Sequence, residues 1–399
     1  MKSIAPLSPL DMPVRTISPL AVDTLQNTPR RKTLSTPPDT PITDSDIESP
    51  TLNSHGSAII EFPYDLDIAR DSNGKYIEFG RGVWSTVYKA TLSTTVAAKP
   101  VMVTPPSSPV TKSTSSSRIM AVKTPLRRDA HAVLKREAYI LSRIMKDTVG
   151  EDVAVPFYGY IPSSHSLVLE ACPLSLSAHI ESCADSARKS FSTKTMFEPV
   201  TPHWSDLAKR LIKGLDWLHG SVGVVHGDIK PHNILLRPSH SSEGNEMEYD
   251  ALYADFSSAH LMSSPSSPTN TTAEAITEDP GAAGASAALT PPFAAPELLT
   301  LSAIKSPTTL STPSSDIFAL ALTLLAAATG DVLVYPGTSE MQRLAMSREG
   351  WRALDYVSSG SNASRLGGRH GLVRRVVEKG VAREPERRVG AGEWLDLLD

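Results

Sequence analysis

The segment VVHGDIKPHNILL, residues 224–236, sets His226, Asp228, Lys230 and Asn233 into an otherwise apolar run, with Asp228 and Asn233 five residues apart. Upstream, KYIEFGRGVWSTVYKA (75–90) places Gly80 and Gly82, then Ser85 and Val87, at a turn between two β-like runs. Glycines at such a turn let backbone N–H groups approach phosphate oxygens with no Cβ in the way. A dinucleotide fingerprint would need a helix after the loop, and a β-like run follows instead.

IMAVK (119–123) is an apolar strand closing on Lys123. In the next run, DAHAVLKREAYILSRI, the residues Ala130, Val133, Leu134, Ala138, Leu141 and Ile144 form one helical stripe. Glu137 falls on that stripe, where a bare carboxylate is costly unless paired. Lys123 is its natural partner. Lys99, at the end of VAAK, is a second candidate nearer the Gly-rich turn. Pro100 and a Ser/Pro-rich stretch follow it directly, which favours Lys123.

The elements that must position these groups read as an α+β chain. The first half is short strands around one helix, 129–145. The second half is helical, at 204–219, 316–329, 339–347 and 371–380. Residues 1–57 are rich in Ser, Thr and Pro and nearly free of aromatics, so they cannot bury enough apolar area to offset ordering and are expected to be disordered. Ser8, Ser18, Thr28, Thr36, Thr40 and Ser49 each precede a proline there, as targets of a proline-directed kinase do; such a composition also produces these pairs by chance. Residues 58–399 are expected to form one folded domain. Low-complexity stretches at 105–117, 183–202, 239–248 and 263–288 read as surface insertions into it.

Lys+Arg 39 against Asp+Glu 43 leaves a net charge of −4 with no polyelectrolyte block, which argues against a dedicated nucleic-acid binder. The two cysteines, Cys172 and Cys183, are too few for a disulfide framework or a structural zinc site. No apolar h-region follows Lys2, and the run from Ile317 is too short to span a bilayer. An intracellular protein of the cytoplasm or nucleus, with no transmembrane segment, is expected.

Over residues 70–399 these motifs, in this order, resemble a eukaryotic protein kinase: a bilobal fold with a small β-rich N-lobe (58–171) and a larger helical C-lobe (172–399). The resemblance implies that Gly80 and Gly82 cover the phosphates of ATP, Lys123 pairs with the α/β-phosphates, and Glu137 holds Lys123. It implies that Glu170 to Cys172 offer backbone hydrogen bonds to adenine beside Leu169, and that Val87, Ala121 and Leu235 sandwich the ring. Asp228 would accept the proton of the substrate hydroxyl, Lys230 would neutralise the transferring phosphoryl group, and Asn233 and Asp255 would hold Mg²⁺.

The family's H-R-D and D-F-G are here His226-Gly227-Asp228 and Asp255-Phe256-Ser257. HGD with Asn five residues after the aspartate also resembles small-molecule phosphotransferases. Three features favour the protein kinase: Lys230-Pro231, TPPFAAPE (290–297), and AREPERRVGAGEWL with Arg388 placed to pair with Glu297. Thr290 and Lys230 imply Ser/Thr rather than Tyr specificity. Asp316 resembles the aspartate that anchors the catalytic loop, a place that also suits a plain helix N-cap, and His226 is expected to stack beneath Phe256. Ser85, Gly227 and Ser257 also fit a pseudokinase or scaffold, but none of them removes a group that holds phosphate, metal or hydroxyl.

Overall fold

The computed structural model describes residues 59–93, 118–190, 193, 195–239, 249–262, 290–306 and 309–398, all within one compact unit, His55–Asp399. Residues 1–57 and their Ser/Thr-Pro pairs, Lys99, and the insertions 105–117 and 263–288 lie outside the described residues, as does 239–248 beyond Ser239.

An antiparallel sheet builds the first layer. Strands β1 (Leu66–Ile68), β2 (Glu78–Arg81), β3 (Ser85–Leu92), β4 (Met120–Pro125), β5 (Phe157–Ile161) and β6 (Ser166–Glu170) form an antiparallel sheet in the order β1-β3-β4-β6-β5, with β2 paired to β3. The register sets Val87 opposite Lys123 and Ala121 opposite Leu169. Side chains two apart, or directly opposite on a neighbouring strand, share a face. Val87, Ala121, Lys123 and Leu169 therefore line one surface of the sheet.

Helix α1 (Ala130–Ile144) crosses this lobe, and its buried stripe includes Val133, Leu134, Glu137, Ala138 and Leu141. After the one-turn helix α2 (Gly150–Val153) and strand β7 (Leu174–Ser175), the chain becomes mainly helical. Helix α3 (Leu176–Lys189) occupies the start of the stretch read from sequence as the insertion 183–202. Polar composition concealed it: Leu176, Ile180 and Ala184 recur at helical spacing and are buried, and Ser175 caps the first turn.

Helix α4 (Trp204–Trp217) runs into a five-residue π-turn, Leu218–Val222. Residues 226–233 follow, framed by β8 (Val224–Val225), β9 (Ile234–Pro238), β10 (Tyr249–Tyr253) and β11 (His260–Leu261). Then come α5 (Leu301–Lys305), α6 (Pro313–Thr329), α7 (Glu340–Ser347), α8 (Ala353–Ser358), α9 (Leu372–Gly380) and α10 (Ala391–Leu395). No described helix is long and apolar enough to cross a membrane.

The lobe is organised around α6, buried on every side from Ser315 to Thr329. It begins three residues before the start expected from sequence. Thr312, not Asp316, is the N-cap: its hydroxyl accepts from the Ser315 N–H, the Ser315 hydroxyl closes a capping box, and Pro313 fits the first turn. Asp316 thus sits inside the buried helix. Indole and phenol groups packed into the same lobe keep partners: Trp204 donates to the Leu324 carbonyl and Tyr253 to that of Leu211.

Thr312→Ala removes the capping oxygen at the start of this central helix. The expected loss is about 1 kcal/mol of unfolding free energy, read as a lower urea midpoint with an unchanged slope.

Candidate active site

Three elements converge on the end of β4. Lys123 Nζ donates to both oxygens of Glu137 at 2.7 Å and to Asp255 Oδ1 at 2.7 Å. Glu137 is 1 % and Lys123 5 % exposed, so neither tolerates losing the other. Two carboxylates outweigh the burial that would strip the Lys123 proton, and they hold its pKa above the ordinary lysine value. Burial alone would raise Asp255, but the Lys123 ammonium holds its carboxyl well below the usual range, with hydrogen bonds from Lys123 and Ser257 adding to the effect. Asp255 carries this carboxylate on a left-handed backbone (φ 60°), and the next amide, Phe256 N, donates to Glu137 Oε1 at 3.1 Å. Helix, sheet and Asp255 segment are one hydrogen-bonded unit.

The segment 224–236 forms the second cluster. Lys230 Nζ donates to Asp228 Oδ2 at 2.6 Å and to Thr290 Oγ1 at 2.7 Å, and Thr290 Oγ1 donates to Asp228 Oδ1 at 2.9 Å. Asn233 Nδ2 donates to the Asp228 carbonyl at 2.9 Å and to Oδ2 at 3.1 Å, which leaves its Oδ1 as a hard oxygen donor. Burial pushes the Asp228 carboxyl above its ordinary pKa against the pull of Lys230 and Thr290.

Beneath this cluster lies Asp316, 1 % exposed. Its carboxylate accepts from His226 N at 2.7 Å and Gly227 N at 2.9 Å, and His219 Nε2 lies 3.0 Å from Oδ2. His226 packs against Phe256 with ring centroids 4.7 Å apart and the ring planes tilted by 43° rather than stacked. Its Nδ1 accepts from the Asp228 amide and its Nε2 faces the Ala254 carbonyl, which places the ring proton on Nε2. Gly227 takes a left-handed backbone (φ 81°), where an added Cβ would come within 2.8 Å of the Ser258 carbonyl oxygen. The glycine in place of the family's arginine therefore meets a steric demand of this loop. Farther on, Arg388 makes two 2.7 Å hydrogen bonds to Glu297, joining TPPFAAPE to the last helices.

The remaining sequence-derived positions are placed as follows. Gly80 lies on β2 and Gly82 beyond its end, and a Cβ on Gly80 would meet nothing within 4 Å. Glu170 ends β6; its amide is already donated to the Pro156 carbonyl at 2.9 Å, and its carboxylate lies 3.5 Å from Arg237 on β9. Burial pushes the Cys172 thiol up to about 12, with the Glu170 carboxylate adding to the shift. Leu235 sits on β9, opposite Ser175 and Leu252, outside the sheet that carries Val87 and Ala121. The sequence carries no signal for His219 beneath Asp316 or for the hydrogen bond from Ser257 to Asp255. Arg237 carried no signal, because its acidic partners come from separate elements: Asp152, Glu170 and Asp250.

With this geometry in place, the class follows: residues 75–396 match the family described as the protein kinase domain, and the chain belongs to that family. Its β-rich first lobe and helical second lobe are the two-lobed fold of that family. The chain is also similar to the serine/threonine-protein kinase ISR1 of Saccharomyces cerevisiae, 31% identical over 209 residues, 48% of this chain and 40% of that protein. The match thus spans less than half the length of that relative.

The Asp316 carboxyl has a depressed pKa: burial opposes the shift, but the hydrogen bond from His219 and the Gly227 amide overcome it. A depressed carboxylate contributes stability above the unfolded value, about 3.9, and that stability is lost as pH falls toward the folded value. Asp316→Asn is therefore expected to cost about 3–5 kcal/mol at neutral pH and to flatten the decline in stability below about pH 4. Chemical denaturation across a pH series measures both.

Proposed function

We propose that this protein kinase transfers the γ-phosphoryl group of ATP, as its Mg²⁺ complex, to serine or threonine hydroxyls of protein substrates. The observation that carries the reading is the joint presence of the Lys123–Glu137–Asp255 unit and the Asp228–Lys230–Thr290–Asn233 cluster.

The donor set suits the metal. Asp255 is charged at neutral pH and Asn233 keeps Oδ1 unspent, and Mg²⁺ is held by hard oxygen ligands of this kind. The ion, when bound, supplies charge neutralisation at the phosphates. Lys123 offers a fixed positive charge to the α/β-phosphates, and the backbone around Gly80 and Gly82 covers them. The Glu170 carbonyl and the Cys172 amide receive adenine between Val87, Ala121 and Leu235.

Asp228 then accepts the proton of the substrate hydroxyl as oxygen attacks phosphorus. Its raised pKa makes it a better base than an exposed aspartate. Lys230 stands beside it as the counter-charge for the transferring group, and Thr290, bonded to both, closes the wall against which the hydroxyl-bearing residue docks. That arrangement supports Ser/Thr specificity, as does the name of the yeast relative.

Asp228→Asn is expected to lower peptide phosphorylation by about 10²–10⁴-fold while ATP binding persists. Equal activity in mutant and wild type would overturn the assignment. Lys123→Met should abolish transfer and Lys99→Met should spare it; the reverse would move the phosphate lysine to Lys99.

Activity is further expected not to depend on phosphorylation between Asp255 and Glu297. A buried arginine beside the catalytic aspartate would need a phosphate to neutralise it, and Gly227 stands there instead. Phosphatase-treated enzyme, with an unmodified segment by mass spectrometry (Ser264 and Ser267 included, both outside the described residues), should keep its peptide activity. A loss restored only by rephosphorylation would show that another basic residue takes the missing arginine's role.

A further inference from the structure

The nucleotide-facing helix α1 is held from behind by a part of the chain to which the reaction assigns nothing. Residues 59–62 run along the outer edge of β5, the last strand of the sheet. Glu61 bridges Tyr160 in parallel; Tyr160 N donates to the Ile60 carbonyl at 2.8 Å, and Phe62 N donates to the Tyr160 carbonyl at 2.9 Å. A second amide of this stretch, Ile60 N, donates instead to Ser142 Oγ on α1 at 2.9 Å. Ser142 is 1 % exposed, and its hydroxyl passes the interaction on to the Ala138 carbonyl at 2.7 Å. Ala138 is the neighbour of Glu137.

The sequence is cut to fit this strap. Gly159 on β5 has φ 148°, and a Cβ there would lie 2.6 Å from Phe62 N and 2.8 Å from the Glu61 carbonyl carbon. The strand is bare at the one place where the strap backbone crosses it.

Helix α1 has other polar anchors. Glu137 reaches Lys123 and the Phe256 amide, and Arg143 Nε donates to the Val222 carbonyl at 3.0 Å. Both face the helical lobe or the cleft. From the sheet's outer edge the helix is reached by the strap and by His131, which stacks on His165, the hydrogen-bond partner of the Tyr160 hydroxyl.

We propose that the strap 59–62 and Ser142 are positioning elements for nucleotide binding: through the Ile60–Ser142 hydrogen bond they keep α1 where Glu137 can hold Lys123. This rests on Lys123 being the phosphate lysine of an ATP-binding kinase. Coupling between two sites is reciprocal, so if the strap supports the nucleotide, the nucleotide protects the strap.

The first test uses wild-type full-length protein. Nucleotide binding is measured by calorimetry with Mg²⁺ and a non-hydrolysable ATP analogue, and amide hydrogen exchange is then read with and without the saturating analogue. The expected result is slower exchange at Ile60 and Phe62 in the bound state. Tight binding with unchanged exchange at both amides overturns the strap's role and leaves the kinase reading intact, whereas absence of binding overturns both.

The second test uses three variants of the full chain. Ser142→Ala and Ile60→Pro, which lacks the N–H, should each raise the Kd of the analogue about two- to tenfold, the range of one net hydrogen bond. The KM for peptide should not move. Ile60→Ala keeps the amide and should bind the analogue as wild type does. The double variant Ile60→Pro/Ser142→Ala should be no weaker than the worse single one, because both remove the same bond. Wild-type affinity in Ser142→Ala and Ile60→Pro, or equal losses in Ile60→Ala and Ile60→Pro, would overturn the proposal.

Discussion

A lysine ammonium buried beside two carboxylates is the interaction on which the remainder of this structure depends. Lys123, Glu137 and Asp255 come from a strand, a helix and a loop far apart in the chain, and each would be costly to bury alone. Satisfying them together dictates where α1 lies against the sheet and where the Asp255 segment lies against α1. The Phe256 amide bound to Glu137 and the Phe256 ring against His226 extend the same constraint to the catalytic segment. A charge pair of this kind is a poor source of net stability and a strict source of geometry.

The helical lobe solves the complementary problem of holding an irregular loop rigid. Asp316 does so from inside an apolar helix, using a buried carboxylate to bind two successive backbone amides that no regular element could satisfy. The departures from the family's motifs are coherent with that frame. Gly227 occupies a left-handed position crowded by Ser258, and Ser257 adds a hydrogen bond to Asp255 where the family has glycine. Both changes alter how the loop is held and leave Lys123, Asp228, Lys230, Asn233 and Asp255 in place.

Much of this was legible in the sequence, and particular residues show why. Glu137 on an apolar stripe demanded a cation, and the strand ending in Lys123 supplied one. The order of the Gly-rich turn, HGDIKPHN, YADFSS, TPPFAAPE and the terminal arginine motif specified the two-lobed fold, which the match to the protein kinase domain family over residues 75–396 bears out. Local signals also placed four of the helices to within a residue or two. They failed for α3, where serines and alanines masked a helical stripe, and at the start of α6, where capping by Thr312 outweighed the charge of Asp316.

What the sequence by itself determined was the set of chemical groups and their order, because apolar periodicity and motif spacing are local properties of the chain. What only the tertiary structure decided was which distant groups meet. His219 beneath Asp316, Arg237 beside Glu170, and the backbone of residues 59–62 lying across Gly159 to reach Ser142 all depend on contacts between elements separated by many residues. A hydrogen bond to a backbone amide, such as that of Ile60, leaves no mark on the residue that donates it, since every residue but proline has the same N–H. Its only trace in the sequence is a serine inside a buried stripe and a glycine inside a strand, and neither acquires meaning until the chain has folded.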